Sequence, residues 1–136
     1  ILMNQGANVQ YYNMVVTRPI GSITSGAGVS CLDVDDAGTT GQFHSVFFSC
    51  PISFDDDANS QAATLFNAGT NNVAAGTSTL TATFVNGPNE AAVPAFSSLP
   101  SVSPFFRQVD YIGAVRDAND TWWQGWTCGL TADSPC

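Results

Sequence analysis

Apolar residues in this chain come in short runs, rich in β-branched and aromatic side chains and closed off by Gly, Pro, Asn or Asp, and they almost never recur at helical spacing. The pattern predicts strands over Val9–Thr17, Gly28–Val34, Gln42–Cys50, Ser78–Val85 and Tyr111–Arg116, with a last one near Trp122–Cys128. A single short helix is expected over Ser60–Asn67. An all-β fold follows. From Pro51 to Ser103 the chain is dominated by Ala, Asn, Ser, Thr and Gly around the strand-like run TLTATFV and the turn Asn86-Gly87-Pro88. Four prolines between Pro88 and Pro104 mark an extended connection, because proline cannot donate to a strand ladder.

The spacing of the first strands adds a repeat to this picture. Val15 and Val34 are nineteen residues apart, and so are Cys31 and Cys50. A repeat of roughly twenty residues is the length of one β-solenoid coil. Stacked strands lie about 4.8 Å apart and a disulfide spans Cα atoms about 4.4–6.8 Å apart, so equivalent positions on neighbouring coils could be bridged. The four cysteines (Cys31, Cys50, Cys128 and Cys136) contain no C-x-x-C pair, which disfavours zinc ribbons and thioredoxin-type sites. Two disulfides are expected, and with them an oxidising compartment. Sequence does not fix their connectivity; 31 with 50 and 128 with 136 is the local solution.

Charge narrows the partners. There is no lysine, and Arg18, Arg107 and Arg116 stand against eleven carboxylates, for a formal charge of -8. Binding to nucleic acid or anionic membranes rests on Lys and Arg, so neither is expected as a partner. Only 10% of residues are charged, against about 25% in an ordinary globular domain. No apolar stretch approaches the roughly 20 residues of a spanning helix, so no membrane insertion is expected. The start, ILMNQG, lacks the features of a secretion signal, and beginning at Ile1 it reads as a mature fragment or a segment of something longer.

The run QGANVQYYNMVVT, then GVSCLDVDD, and later VDYIGAV with WWQGWT, resemble the C-terminal part of secreted bacterial right-handed parallel β-helix proteins. The resemblance covers most of the chain loosely and is most distinctive in the final block. It implies an all-β fold: a short right-handed parallel β-helix (β-solenoid) segment closed by an aromatic-rich C-terminal cap, with a β-sandwich as the alternative. On that reading residues 1–103 form solenoid coils with long loops and 104–136 the cap, within one domain. The resemblance implies a secreted, extracellular or cell-surface location more than an activity. Only three or four coils fit, which would leave an open stack with unpaired strand edges at the N-terminal end.

Several constellations are candidates for chemistry. Val109–Leu130 holds all three tryptophans, Trp122, Trp123 and Trp126, together with Tyr111, Asp117, Asn119 and Asp120. Aromatic faces beside carboxylates suit sugars or a protein partner, whereas the plainer reading is a cover over the end of a core. Asp55, Asp57 and Asn59 have the alternate spacing that calcium uses, but Ser60 and Phe66 occupy the positions where an EF-hand needs Gly and Glu, so only a looser calcium site is open. No other cofactor is indicated. His44 is the only histidine; Ser45 beside it on a strand points to the opposite face, so the pair cannot form a triad and a structural histidine is expected. Pectin-degrading β-helix enzymes pair several aspartates with basic or histidine motifs. Asp35 and Asp36 imitate the acids, but Gly-His-Gly and Arg-x-Lys are missing. No catalytic residue is assigned, and an enzyme is not expected.

The sequence therefore points first to a structural or interaction protein of the bacterial exterior, associating by β-stacking with another copy or with a larger β-structured subunit. A carbohydrate-binding module using the tryptophans is the first rival, and a polysaccharide-active β-helix enzyme the second.

Overall fold

The computed structural model describes residues 1–18, 29–55, 60–125 and 127–128. Strands dominate, with three short helices. In chain order the elements are β1 (Leu2–Met3), β2 (Asn8–Thr17), β3 (Ser30–Val34), β4 (Thr40–Ser49), β5 (Ile52–Phe54), α1 (Ala62–Asn67), α2 (Pro88–Ala91) and α3 (Leu99–Val102). The strands form two sheets in which every pairing is parallel: β1-β3-β5 and β2-β4. The second is extended by single parallel bridges from His44 to Thr70 and from Phe47 to Val73. Parallel neighbours require a long return connection, which the chain supplies between β1 and β3, between β2 and β4 and between β3 and β5.

The register replaces the expected nineteen-residue repeat. Asn8 lies opposite Thr40, 32 positions on, whereas Ser30 lies opposite Ile52, only 22 positions on. Val15 therefore pairs with Phe47, not with Val34. Cys31 and Cys50 are bonded with Cα atoms 5.5 Å apart, as the local solution expected. They are not equivalent positions, however: the bond joins β3 to the turn between β4 and β5. Cys128 is also disulfide-bonded. Its expected partner, Cys136, lies outside the described residues.

A bend divides both long strands at matching points. Asn13 and Ser45 have φ values of 52° and 58°, and Asn71, the residue after the bridged Thr70, has 57°. The flanking pairs Tyr12 with His44 and Met14 with Val46 hold Asn13 level with Ser45, so left-handed residues stand one above another. Asparagine tolerates this region better than most residues, and here it turns the strand without breaking the ladder.

The main core lies between the two sheets. Phe43, Val46 and Phe48 of β4, Leu32 and Val34 of β3, and Ala62 and Phe66 of α1 are buried there. Ala62 and Phe66 are four apart and so share one helix face. Phe66 packs on Phe48 and Phe43 with ring centroids 4.4 and 5.7 Å away. Each such ring contributes roughly 1.5–3 kcal/mol by leaving water. Asn72 fastens α1 to the sheet: its amide nitrogen donates to the carbonyls of Phe43 and Phe66, and its oxygen accepts from the Val46 amide. The chain entering this level passes so close that a Cβ on Gly69 would overlap the Phe43 carbonyl oxygen, which only glycine permits.

Beyond β5 the expectation of further strands fails. Ser78–Val85 is a tight turn closed by the Thr81–Val85 bridge, with Ala82 and Thr83 at φ 48° and 67°. Tyr111–Arg116 contributes only the bridge from Val115 to Val85, and the described part of Trp122–Cys128 only that from Gln124 to Thr127. The expected extended connection from Pro88 to Pro104 contains α2 and α3, each begun by a proline at its first or second position, where the missing N–H costs nothing. This later part of the chain lies along the flank of the β2-β4 sheet. Val93 and Ile112 join Phe47 and Val15 in a second, smaller core, and Phe96 stacks on Tyr12 and His44.

Candidate functional site

The first candidate is the free side of β1 and β2. In the paired register, Phe43, Val46 and Phe48 of β4 are wholly buried, while their β2 counterparts Tyr11, Met14 and Val16 are only half-buried. The same row of core-facing residues thus passes from enclosed to open within one strand spacing. Among the described residues, a single backbone bond reaches the outer side of β2: the Gly113 N–H donates to the Asn13 carbonyl at 2.8 Å. Leu2 of β1 is 62% exposed. Phe105 and Phe106, exposed and in edge contact, stand nearby, with Phe106 lining a cleft of about 440 Å³ whose other wall is β2 from Gln10 to Val15. The open edge was expected from the sequence. Its aromatic border was not, although two adjacent phenylalanines beside Pro104 could have signalled it.

The second candidate is the tryptophan turn. The structure brings Tyr111, Asp117, Asn119, Asp120, Trp122 and Trp123 into one loop; Trp126 lies outside the described residues. Asp120 accepts the Arg116 amide at 3.1 Å, and Asp117 accepts the Asn119 amide at 2.7 Å. Asp117 also pairs with the Arg116 guanidinium at 3.0 Å. The Asn119 amide and the guanidinium hold the Asp117 carboxyl below its usual range, and Asp117 in turn raises Arg116. Burial and the neighbouring Asp120 carboxylate push the Tyr111 hydroxyl up. Trp122 donates its indole N–H to the Ala114 carbonyl at 2.9 Å, and Trp123 donates to that of Asp120 at 3.1 Å while its ring meets Phe84 edge-on. Trp122 remains 57% exposed. Both indole donors are thus used within the turn.

Other sequence candidates are placed as follows. Asp55 follows β5 directly; Asp57 and Asn59, the other two residues of the expected calcium set, lie outside the described residues. Asp36 closes the connection before β4: it accepts the Thr39 hydroxyl and the Gly38 amide, both at 2.9 Å. The Thr39 hydroxyl is the main cause of its lowered pKa. His44 stacks on Tyr12 with ring centroids 5.5 Å apart, and its Nδ1 accepts from the Thr70 amide at 3.3 Å and lies 3.0 Å from the Thr70 hydroxyl. Among the described residues no group of three or more His, Cys, Asp or Glu side chains is arranged to hold a metal. No described helix is long and apolar enough to cross a membrane.

Comparison with protein-family models, with curated proteins and with solved structures finds no match to this chain.

Proposed function

We propose that this protein is a structural and interaction module of the bacterial exterior: a short right-handed parallel β-helix whose open edge accepts a strand from another β-structured chain. The observation that carries the reading is the contrast between β4 and β2. Residues that are wholly buried on β4 are only partly buried at the matching positions of β2, beside a backbone edge that a single backbone bond reaches among the described residues. An exposed edge of this length is a template for strand addition, in which main-chain bonds supply affinity and side-chain fit supplies selectivity. The matched left-handed residues at Asn13, Ser45 and Asn71 and the uniformly parallel pairing support the β-helix form. The disulfide supports an oxidising exterior location.

Glycan binding by the tryptophans has less support, because Trp122 and Trp123 spend their indole donors on the turn itself. Aspartates 117 and 120 are likewise occupied by backbone amides.

The reading is tested with a synthetic peptide of the sequence of residues 40–49, the strand that β2 already accepts on its other side. Hydrogen exchange should show amides of β2 slowed when this peptide is added, and a peptide carrying two prolines should leave them unchanged. Exchange in β2 that never responds to the strand peptide overturns the reading.

A further inference from the structure

We infer that the second β-structured chain is another copy of this protein, and that copies stack head to tail, the β1-β2 edge of one meeting the β5 edge of the next. This rests on the reading of the open edge given above and adds the identity of the partner.

Three observations lead there. First, the stack is open at both ends. The sheet order β1-β3-β5 leaves β5 as the second edge, and Ile52 on it is 48% exposed. In the other sheet the run from Thr70 to Val73 bonds to β4 on one side, and among the described residues no backbone bond reaches its other side. Second, the two ends offer similar slots. At the β2 end, residues 10–15 face Leu99 and Phe106 across about 440 Å³. At the far end, residues 71–73 face Ala92, Val93 and Pro94 across about 390 Å³. Each slot has a strand on one wall and an apolar side on the other. Because every strand runs parallel, the far edge of one copy presents the direction and spacing that the near edge of the next already accepts from its own β3 and β4.

Third, the charges suit unlike ends and oppose like ones. Residues 1–17 contain no Asp, Glu, Lys or Arg, and all eleven carboxylates lie from Asp33 onward. Arg107 follows Phe106, which lines the near slot of a chain with charge -8. Asp55 follows β5 at the far end. A two-fold pairing of near ends would set Arg107 against its own copy. Head-to-tail contact sets it toward acid, and because that contact does not close on itself the assembly is open-ended.

Sedimentation velocity over a range of protein concentrations reads the outcome. The native chain should show a weight-average mass that keeps rising with concentration. Lysines at exposed edge positions act as blocks: the pair Leu2→Lys and Gln10→Lys closes the near end, and the pair Ile52→Lys and Ala75→Lys, Ala75 being exposed two residues beyond Val73, closes the far end. Each blocked protein alone should sediment as a monomer, with circular dichroism matching the native chain. An equimolar mixture of the two should form dimers and nothing larger, since one open near end and one open far end remain. A native chain that is monomeric at every concentration overturns the inference. So does association that stops at a dimer and ignores the far-end block. If β2 is still protected by the strand peptide in a monomeric protein, the open-edge reading stands and only the self-partner falls; if neither is seen, both fall.

Discussion

Glu90 is removed from solvent at the third position of α2 and is surrounded by donors. Its oxygens accept from the Thr79 amide at 2.9 Å, the Thr79 hydroxyl at 2.7 Å and the Gly87 amide at 3.2 Å. Burial alone would raise its pKa, but the Thr79 hydroxyl and amide, with the Ser78 hydroxyl, outweigh burial and lower it. A carboxylate whose folded pKa lies below its unfolded one contributes stability that is fully present above the unfolded value and is lost as pH falls through the folded value. Melting temperature should therefore decline below the ordinary glutamate range, and Glu90→Gln should flatten that decline. Glu90→Ala, which leaves the Thr79 and Gly87 amides without an acceptor, should cost about 1–3 kcal/mol in chemical denaturation at neutral pH. The anchor was legible in outline, since Gly87-Pro88-x-Glu90 carries the proline and acid expected of a helix start. What no local pattern discloses is that Thr79, eleven residues earlier, would meet it. Asn72, whose side chain replaces a strand contact between Phe43 and Phe66, was hidden for the same reason.

At the scale of elements, β2, β3, β4 and α1 were legible to within two residues at each end, because each is a run of apolar residues long enough to be read against its polar boundaries. The runs 78–85 and 111–116 and the described part of 122–128 have similar composition but form turns and bends. In the first, Ala82 and Thr83 take left-handed backbone; between the other two, Asp117 and Asp120 divert backbone amides from a ladder. The expected repeat fails because paired strands are offset by 22 to 32 residues, so there is no fixed period to find. The disulfide ties β3 to the turn after β4. Replacing both Cys31 and Cys50 by serine should lower stability by about 3 kcal/mol, the value expected for opening a loop of this length in the unfolded chain. Urea denaturation of the double variant measures it, and a midpoint equal to that of the native chain would mean that the unfolded state is already held compact by other means.

Over the whole molecule, two layers are joined along one seam. The sheets and α1 form the first layer, and the segment from Val85 to Trp123 forms the second. The joint is the small cluster of Val15, Phe47, Val93 and Ile112, together with the Gly113 amide bond to the Asn13 carbonyl and the Phe96 amide bond to the Asn13 side chain. Truncating the wholly buried Ile112 to alanine should cost about 2–5 kcal/mol. Hydrogen exchange should then quicken at residues 85–86 and 113 well before it does in β3 and β4; uniform quickening across both layers would show instead that they unfold as one. The aromatic residues report on the two layers differently. Trp122 and Trp123 share the flank turn with Tyr111, while Tyr11 and Tyr12 sit side by side in β2. Because Trp122 donates to the carbonyl of Ala114, which lines the cleft beside β2, indole emission registers a partner or ligand seated on the open edge as well as loosening of the flank.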